Sequence, residues 1–237
     1  MRETNGTVTG PRAPRAQRSS FWRRALTLAG LACAVLAELA APAVAQSRPS
    51  SKLTAEISKS RPDTLILAWR GSIELTMANQ IKQAFEANRR QTKRVVLTFT
   101  SGGGSVAEGE RVIKVLRDIK RTHTLETVIA QGGTCQSMCL FMYVQGDVRR
   151  AGLTSVWLFH EVSVSDPKTK KITKLIRGDW LRLVTQYVEP AGVSKAWIDS
   201  VKQQVNRTDF YQTGADLVQA KSGIITHALG NRIERKE

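Results

Sequence analysis

Residues 61–237 are predicted to form one α/β domain of stacked β/α units, with a mostly parallel sheet and a helical C-terminal part. Strand-like and helix-like segments alternate through the middle of the chain, the pattern of parallel β/α units. A run of three glycines, Gly102 to Gly104, joins one such strand directly to a helix. The 237-residue chain is 41% hydrophobic, enough for one core once an N-terminal segment is set aside.

Each element follows from its pattern. Residues 46–60 are polar and aperiodic, which predicts a flexible lead-in. Residues 63–69 (DTLILAW) form a short apolar run and read as a buried strand. Met77, Ile81, Ala84 and Phe85 share one face of a helix over 75–88. Residues 94–100 (RVVLTFT) are a β-branched strand that stops at the glycines. Beyond them Val106, Val112, Ile113, Leu116 and Ile119 restore helical spacing, and Ser105 with Glu108 predicts a capping box. Residues 127–130 form another short strand. The apolar run 138–144 leans helical between its flanking glycines. Residues 156–159 are a strand ending at His160, and 166–172 is a charged loop. Trp180, Leu181, Val184 and Val188, then Trp197, Ile198, Val201 and Val205, repeat at helical intervals, and a last short helix lies near 215–221.

The N-terminus reads as an export signal. Five arginines (Arg12, Arg15, Arg18, Arg23, Arg24) precede an apolar stretch over 25–37, and Ala-Val-Ala at 43–45 suits cleavage before Gln46. The stretch is shorter than the roughly 20 residues of a membrane span, and Glu38 interrupts its end. Arg23-Arg24 is a partial match to a twin-arginine signal. A periplasmic or secreted mature chain is the expectation, with residues 1–45 as signal peptide.

Export bears on cysteine and charge. Cys33 leaves with the signal, so the mature chain keeps Cys135 and Cys139 in a compartment where disulfides persist. A disulfide, two buried thiols, or a metal site with His160 all remain open, although zinc lacks a second Cys or His pair here. A helical Cys135 would suit a bridge, whereas an extended one would set the Cα atoms too far apart. The formal charge is +16, and removing residues 1–45, with six Arg and two Glu, leaves +12. That favours anionic partners such as an envelope surface. The cations are scattered (Arg89-Arg90, Lys93-Arg94, Arg149-Arg150, Lys168 to Lys171) and not interleaved with aromatics. They read as solvated faces, with no dedicated nucleic-acid site.

A glycine turn that opens a helix presents backbone N–H groups to negative charge. Gly102, Gly104 and Ala107 spell a G-x-G-x-x-A nucleotide pattern, but the next strand ends Ile129-Ala130-Gln131 without the acid such a site needs. No Gly-Lys-Ser/Thr follows for a P-loop. The other use is an oxyanion hole. Ser137, in Gly-Gly-Thr-Cys-Gln-Ser-Met-Cys (132–139), supplies a hydroxyl, and His160, at the end of an apolar strand, supplies a base. His123 follows the long helix in a polar loop, and His227 lies near the C-terminus.

The order of these pieces resembles the proteolytic subunit of the Clp protease and its wider ClpP/crotonase superfamily. Gly-Ser-Ile-Glu-Leu-Thr-Met-Ala-Asn-Gln-Ile (71–81) is similar to that family's first turn and helix. Ser-Gly-Gly-Gly-Ser-Val (101–106) is similar to its oxyanion loop, with Gly102 in place of proline. Gly-Thr-Cys-Gln-Ser-Met (133–138) resembles its nucleophile turn, and the His160 strand resembles its histidine strand. The likeness runs from about residue 65 to 161, with an echo around 215–225. Exported relatives with a Cys-x-Ser-x-Cys nucleophile turn are similar to this chain.

The resemblance implies Ser137 as nucleophile, His160 as base, and the Gly103 and Met138 N–H groups as oxyanion donors. The third member is Asn206 or Asp209, with Asn206 preferred, since asparagine can orient a histidine. An ATP-independent peptidase acting on a peptide or small acyl substrate is the expected function, with no cofactor and no metal. An exported protein has no Clp ATPase beside it, and homo-oligomers are common among such relatives. A Ser–Lys dyad like that of signal-peptide peptidases and a catalytically inactive envelope scaffold are the competing expectations.

Overall fold

The computed structural model describes residues 51–166, 168–169, 171–205 and 208–230. The expected signal peptide and Asn206 lie outside them. The main sheet has six strands in the order β1-β2-β3-β4-β6-β11, with β1 at Lys52–Ile57. β2 (Thr64–Arg70), β3 (Arg94–Thr100), β4 (Thr124–Ile129), β6 (Val148–Gly152) and β11 (His227–Leu229) run parallel. The helices α1 (Met77–Asn88) and α2 (Val106–Lys120) make the crossovers between β2, β3 and β4. Leu65, Leu67, Val95, Leu97, Phe99, Leu125 and Ile129 are buried. Near-continuous apolar runs of this kind belong to parallel strands covered on both faces. Each such side chain contributes roughly 1.5–3 kcal/mol by leaving water.

A second sheet holds β5 (Thr134–Gln136), β7 (Val156–Phe159) and β10 (Phe210–Thr213) in the order β10-β7-β5. β5 and β7 are parallel, and β10 is antiparallel to β7. The two sheets meet where β3 runs on into Ser101. There the Ser101 N–H donates to Thr134 O at 2.9 Å and the Gln136 N–H donates to Ser101 O at 3.0 Å. α3 (Met138–Tyr143) follows β5 and is buried throughout. The C-terminal part carries α4 (Asp179–Leu183), continued by a π-helical stretch Val184–Val188 and a 3₁₀ turn Glu189–Ala191, then α5 (Lys195–Val205) and α6 (Gly214–Gln219). Trp180, Trp197, Ile198 and Val201 of this part are buried.

Several expectations are corrected. The lead-in is not structureless, because β1 (Lys52–Ile57) pairs antiparallel with β2 from Lys52↔Arg70 to Ile57↔Leu65. Its polar face is exposed, which hid the strand in the sequence. The charged loop is the turn of a hairpin, β8 (Val162–Ser165) with β9 (Ile172–Ile176). Arg149 is not on a solvated face. It is buried and donates to the carbonyls of Ile224, Gly223 and Gly146, tying β6 to the C-terminal segment. Its neighbour Arg150 pairs with the buried Glu126 at 2.7 Å. The capping box of α2 is half formed. Ser105 Oγ accepts from the Glu108 N–H at 3.2 Å, but the Glu108 carboxylate accepts from the Ala78 N–H at 2.8 Å and so joins α2 to α1. A complete box occurs at α6, between Thr213 and Asp216.

Candidate active site

β5 ends at Gln136 and the chain turns at once into α3 through Ser137, whose φ of 54° and ψ of −124° lie in a region L-residues rarely adopt. Such a backbone costs about 1–3 kcal/mol and needs a surround that enforces it. The main chain supplies that surround. On one side β5 is bonded to Ser101, and on the other the Ser137 N–H donates to Leu158 O at 2.9 Å. Ser137 serves as the N-cap residue of α3 without using its side chain as a cap, and it is half-buried. A strand-to-helix turn of this shape lifts a hydroxyl above the end of a sheet, as a nucleophile elbow does.

The glycine loop lies against this turn. A Cβ added to Gly103, whose φ is +90°, would sit 2.7 Å from Ser137 Cβ and 2.9 Å from Gln136 O. Only glycine allows that approach. The loop is laced to the β2–α1 turn, where Ile73 N donates to Gly103 O and Ser105 N donates to Ile73 O, both at 2.8 Å. Gly109 of α2 packs onto the Met138 side chain, leaving no room for a Cβ. The Gly103 N–H donates to Ser101 Oγ at 3.2 Å. Met138 opens α3, where an N–H has no acceptor within its own helix.

His160 follows the last residue of β7 as Ser137 follows the last of β5. With Gln136 opposite Leu158 and neighbouring strands about 4.8 Å apart, the two residues stand one register step from each other at the same sheet edge. That edge is the carboxyl end of parallel strands, where open α/β sheets bind ligands. Among the described residues neither the Ser137 hydroxyl nor the His160 ring makes a hydrogen bond. His123 bonds Arg89 O and Thr122, and His227 bonds Thr226, so both are engaged elsewhere.

Cys135 and Cys139 form a disulfide with Cα atoms 5.2 Å apart. Cys135 is extended, in β5, the case in which the sequence predicted too wide a gap. The turn at Ser137 removes the difficulty by folding the chain back on itself between the two sulfurs. The bridge thus closes a loop with Ser137 at its centre, and both cysteines are buried. No group of three or more His, Cys, Asp or Glu suited to a metal occurs among the described residues.

A hollow of about 130 Å³ adjoins His160, lined by Glu161, Ile172, Leu175, Arg177, Val205, Thr208 and Asp209. Asp209 therefore shares a cavity with the imidazole. Glu161 is occupied structurally, accepting from the Gly178 and Trp180 N–H groups at the start of α4. The hairpin residues Ile172 and Leu175, and Arg177 just beyond, had no signal in the sequence that tied them to His160.

No protein-family model matches the chain and no curated sequence matches it. Solved structures do resemble it. A ClpP1 mutant from Listeria monocytogenes superposes with a TM-score of 0.52 at 15% identity, over 70% of this chain and 92% of the other. A mutant of 1510-N, a membrane-bound stomatin-specific protease, gives a TM-score of 0.56 at 8% identity, over 68% of this chain and 77% of the other. The fold is accordingly the ClpP-like fold, a mixed α/β architecture with a mostly parallel sheet.

Proposed function

We propose that this protein is an exported serine hydrolase, a peptidase that works without ATP. The observation that carries the reading is the strained Ser137 turn, set at one sheet edge beside His160 with Gly103 pressed against it. Ser137 Oγ attacks the substrate carbonyl while His160 takes the hydroxyl proton, and His160 returns that proton to the leaving group. The Gly103 N–H exchanges Ser101 Oγ for the substrate oxygen, and the Met138 N–H is the second donor to the oxyanion. Asn206 or Asp209 orients the imidazole, and the hollow that Asp209 shares with His160 supports Asp209. Residues 1–45 direct export, and the reaction draws on no cofactor.

That neither Ser137 nor His160 makes a side-chain hydrogen bond among the described residues favours one alternative, an inactive envelope protein that keeps the fold for binding. Catalytic hydrogen bonds are often long before substrate arrives, so activity decides between the two. The purified protein, without nucleotide, is expected to hydrolyse fluorogenic peptides or activated esters. Ser137→Ala is expected to lower the rate on the order of 10³-fold or more. Equal rates in wild type and Ser137→Ala would remove Ser137 from the mechanism, and full activity in His160→Ala would point to a lysine base.

A further inference from the structure

The β8–β9 hairpin is a two-stranded sheet of its own, hydrogen-bonded to neither of the other sheets. An isolated hairpin is marginally stable in water, and this one is left uncovered. Among the described residues seven large hydrophobics are exposed, and four belong to it: Val164, Ile172, Leu175 and Ile176. The pairing register sorts them by face. Val164 lies opposite Lys174 and Ile176 opposite Val162, whereas Leu175 and Ile172 pair with Ser163 and Ser165. Cross-strand partners share a face, and Leu175 and Ile172 line the hollow beside His160. Val164, Lys174 and Ile176 are therefore on the face turned away from it.

The same segment is strongly basic. Residues 162–177 hold Lys168, Lys170, Lys171, Lys174 and Arg177 against one acid, a net charge of +4. That acid, Asp166, accepts from the Lys168 and Thr169 N–H groups and so is committed to the turn. Lys168, Lys171, Lys174 and Arg177 are exposed.

We propose that the hairpin docks on an anionic phospholipid surface, its aliphatic side chains entering the headgroup layer and its lysines meeting lipid phosphates. Apolar side chains set among Lys and Arg are the composition of interfacial membrane binders. Each Lys or Arg near such a surface gains an attraction that falls off within a Debye length and so weakens with salt. A second copy of this chain is a poor occupant, because two +4 hairpins facing each other repel. The docking face is the one opposite the His160 hollow, so the hairpin anchors the chain while the hollow stays open to solvent.

Co-sedimentation of the full chain with vesicles tests this, with wild type and variants side by side so that any contribution from the N-terminal apolar stretch cancels. Phosphatidylglycerol vesicles are expected to bind the wild type in a salt-sensitive manner, and phosphatidylcholine vesicles only weakly. Lys168→Glu/Lys171→Glu/Lys174→Glu is expected to weaken binding roughly tenfold or more, and Val164→Ser/Ile176→Ser several-fold. None of these residues belongs to the catalytic set, so thermal melting and ester hydrolysis in solution should stay at wild-type levels. Variants that bind vesicles as wild type does, or wild type that ignores lipid charge, would overturn the proposal. So would hairpin variants that alter only the oligomeric state, since the hairpin would then be covered by another copy.

Discussion

Ser137 and His160 end neighbouring strands, yet the chain holds them by different means. Ser137 is fixed by main-chain bonds on both sides of β5, by Gly103 at its Cβ, by a disulfide around it and by a helix buried over its whole length. His160 is followed by Glu161, which caps the start of α4, and by a hairpin open to solvent. Its ring has no hydrogen-bond partner among the described residues, and its hollow is walled partly by exposed side chains. On the proposed reading the nucleophile is held by main chain, glycine and disulfide, whereas the base is held by its strand alone. Substitutions on the Ser137 side should therefore cost most.

Among substitutions in the surround of Ser137, the largest effect is expected from Gly103→Ala. The new methyl collides with Ser137 and displaces the proposed oxyanion donor, so kcat/KM should fall on the order of 10²- to 10³-fold while secondary structure, read by circular dichroism, is retained. A smaller effect would show that the loop yields and that the close approach is incidental.

Next is the disulfide. Cys135→Ala/Cys139→Ala is expected to lower kcat about tenfold with KM little changed, because the strained turn then relaxes in part of the population. The melting temperature should drop by several degrees, from the roughly 2 kcal/mol or less that so short a loop contributes. A fall in melting temperature with kcat intact would reduce the bridge to a structural staple.

The smallest effect belongs far from the site. Thr213→Ala removes the α6 cap, expected to cost about 1 kcal/mol. Hydrogen bonds from the Thr213 backbone and hydroxyl hold the Asp216 carboxyl below its ordinary range. A depressed carboxyl stabilises the fold above its unfolded value, and that contribution is lost as pH falls through the lower folded value. The stability gap between wild type and Thr213→Ala, measured by denaturant titration, should therefore narrow in acid. A gap constant down to pH 2 would contradict the assignment.

How far the site was legible follows the same division. Glycines 102–104, the β-branched run 94–100 and the strand 156–159 carry strong local signals, and β3 and β7 fall where those signals put them. Ser137 and His160 stand at element ends that local pattern defines, whereas Gly103 and the joint roles of the three rest on the resemblance to the ClpP/crotonase superfamily. Elements that depend on distant partners were hidden. β1 is polar on its outer face, β6 is built around Arg149 and Arg150, and β10 and β11 are short strands that exist through pairing with β7 and β6. The extended Cys135 could be judged for a disulfide only once the Ser137 turn was known. The hollow near His160 brings together residues from 160 to 209, a contact that no local pattern encodes.

The most direct test of Ser137 as the proposed nucleophile and His160 as its base is the site of covalent attack by a fluorophosphonate, mapped by peptide mass spectrometry in wild type and in His160→Ala. The phosphonyl adduct should fall on Ser137 in the wild type and form far more slowly when His160 is gone. An adduct on another serine, or none at all on a folded wild-type protein, would contradict the account.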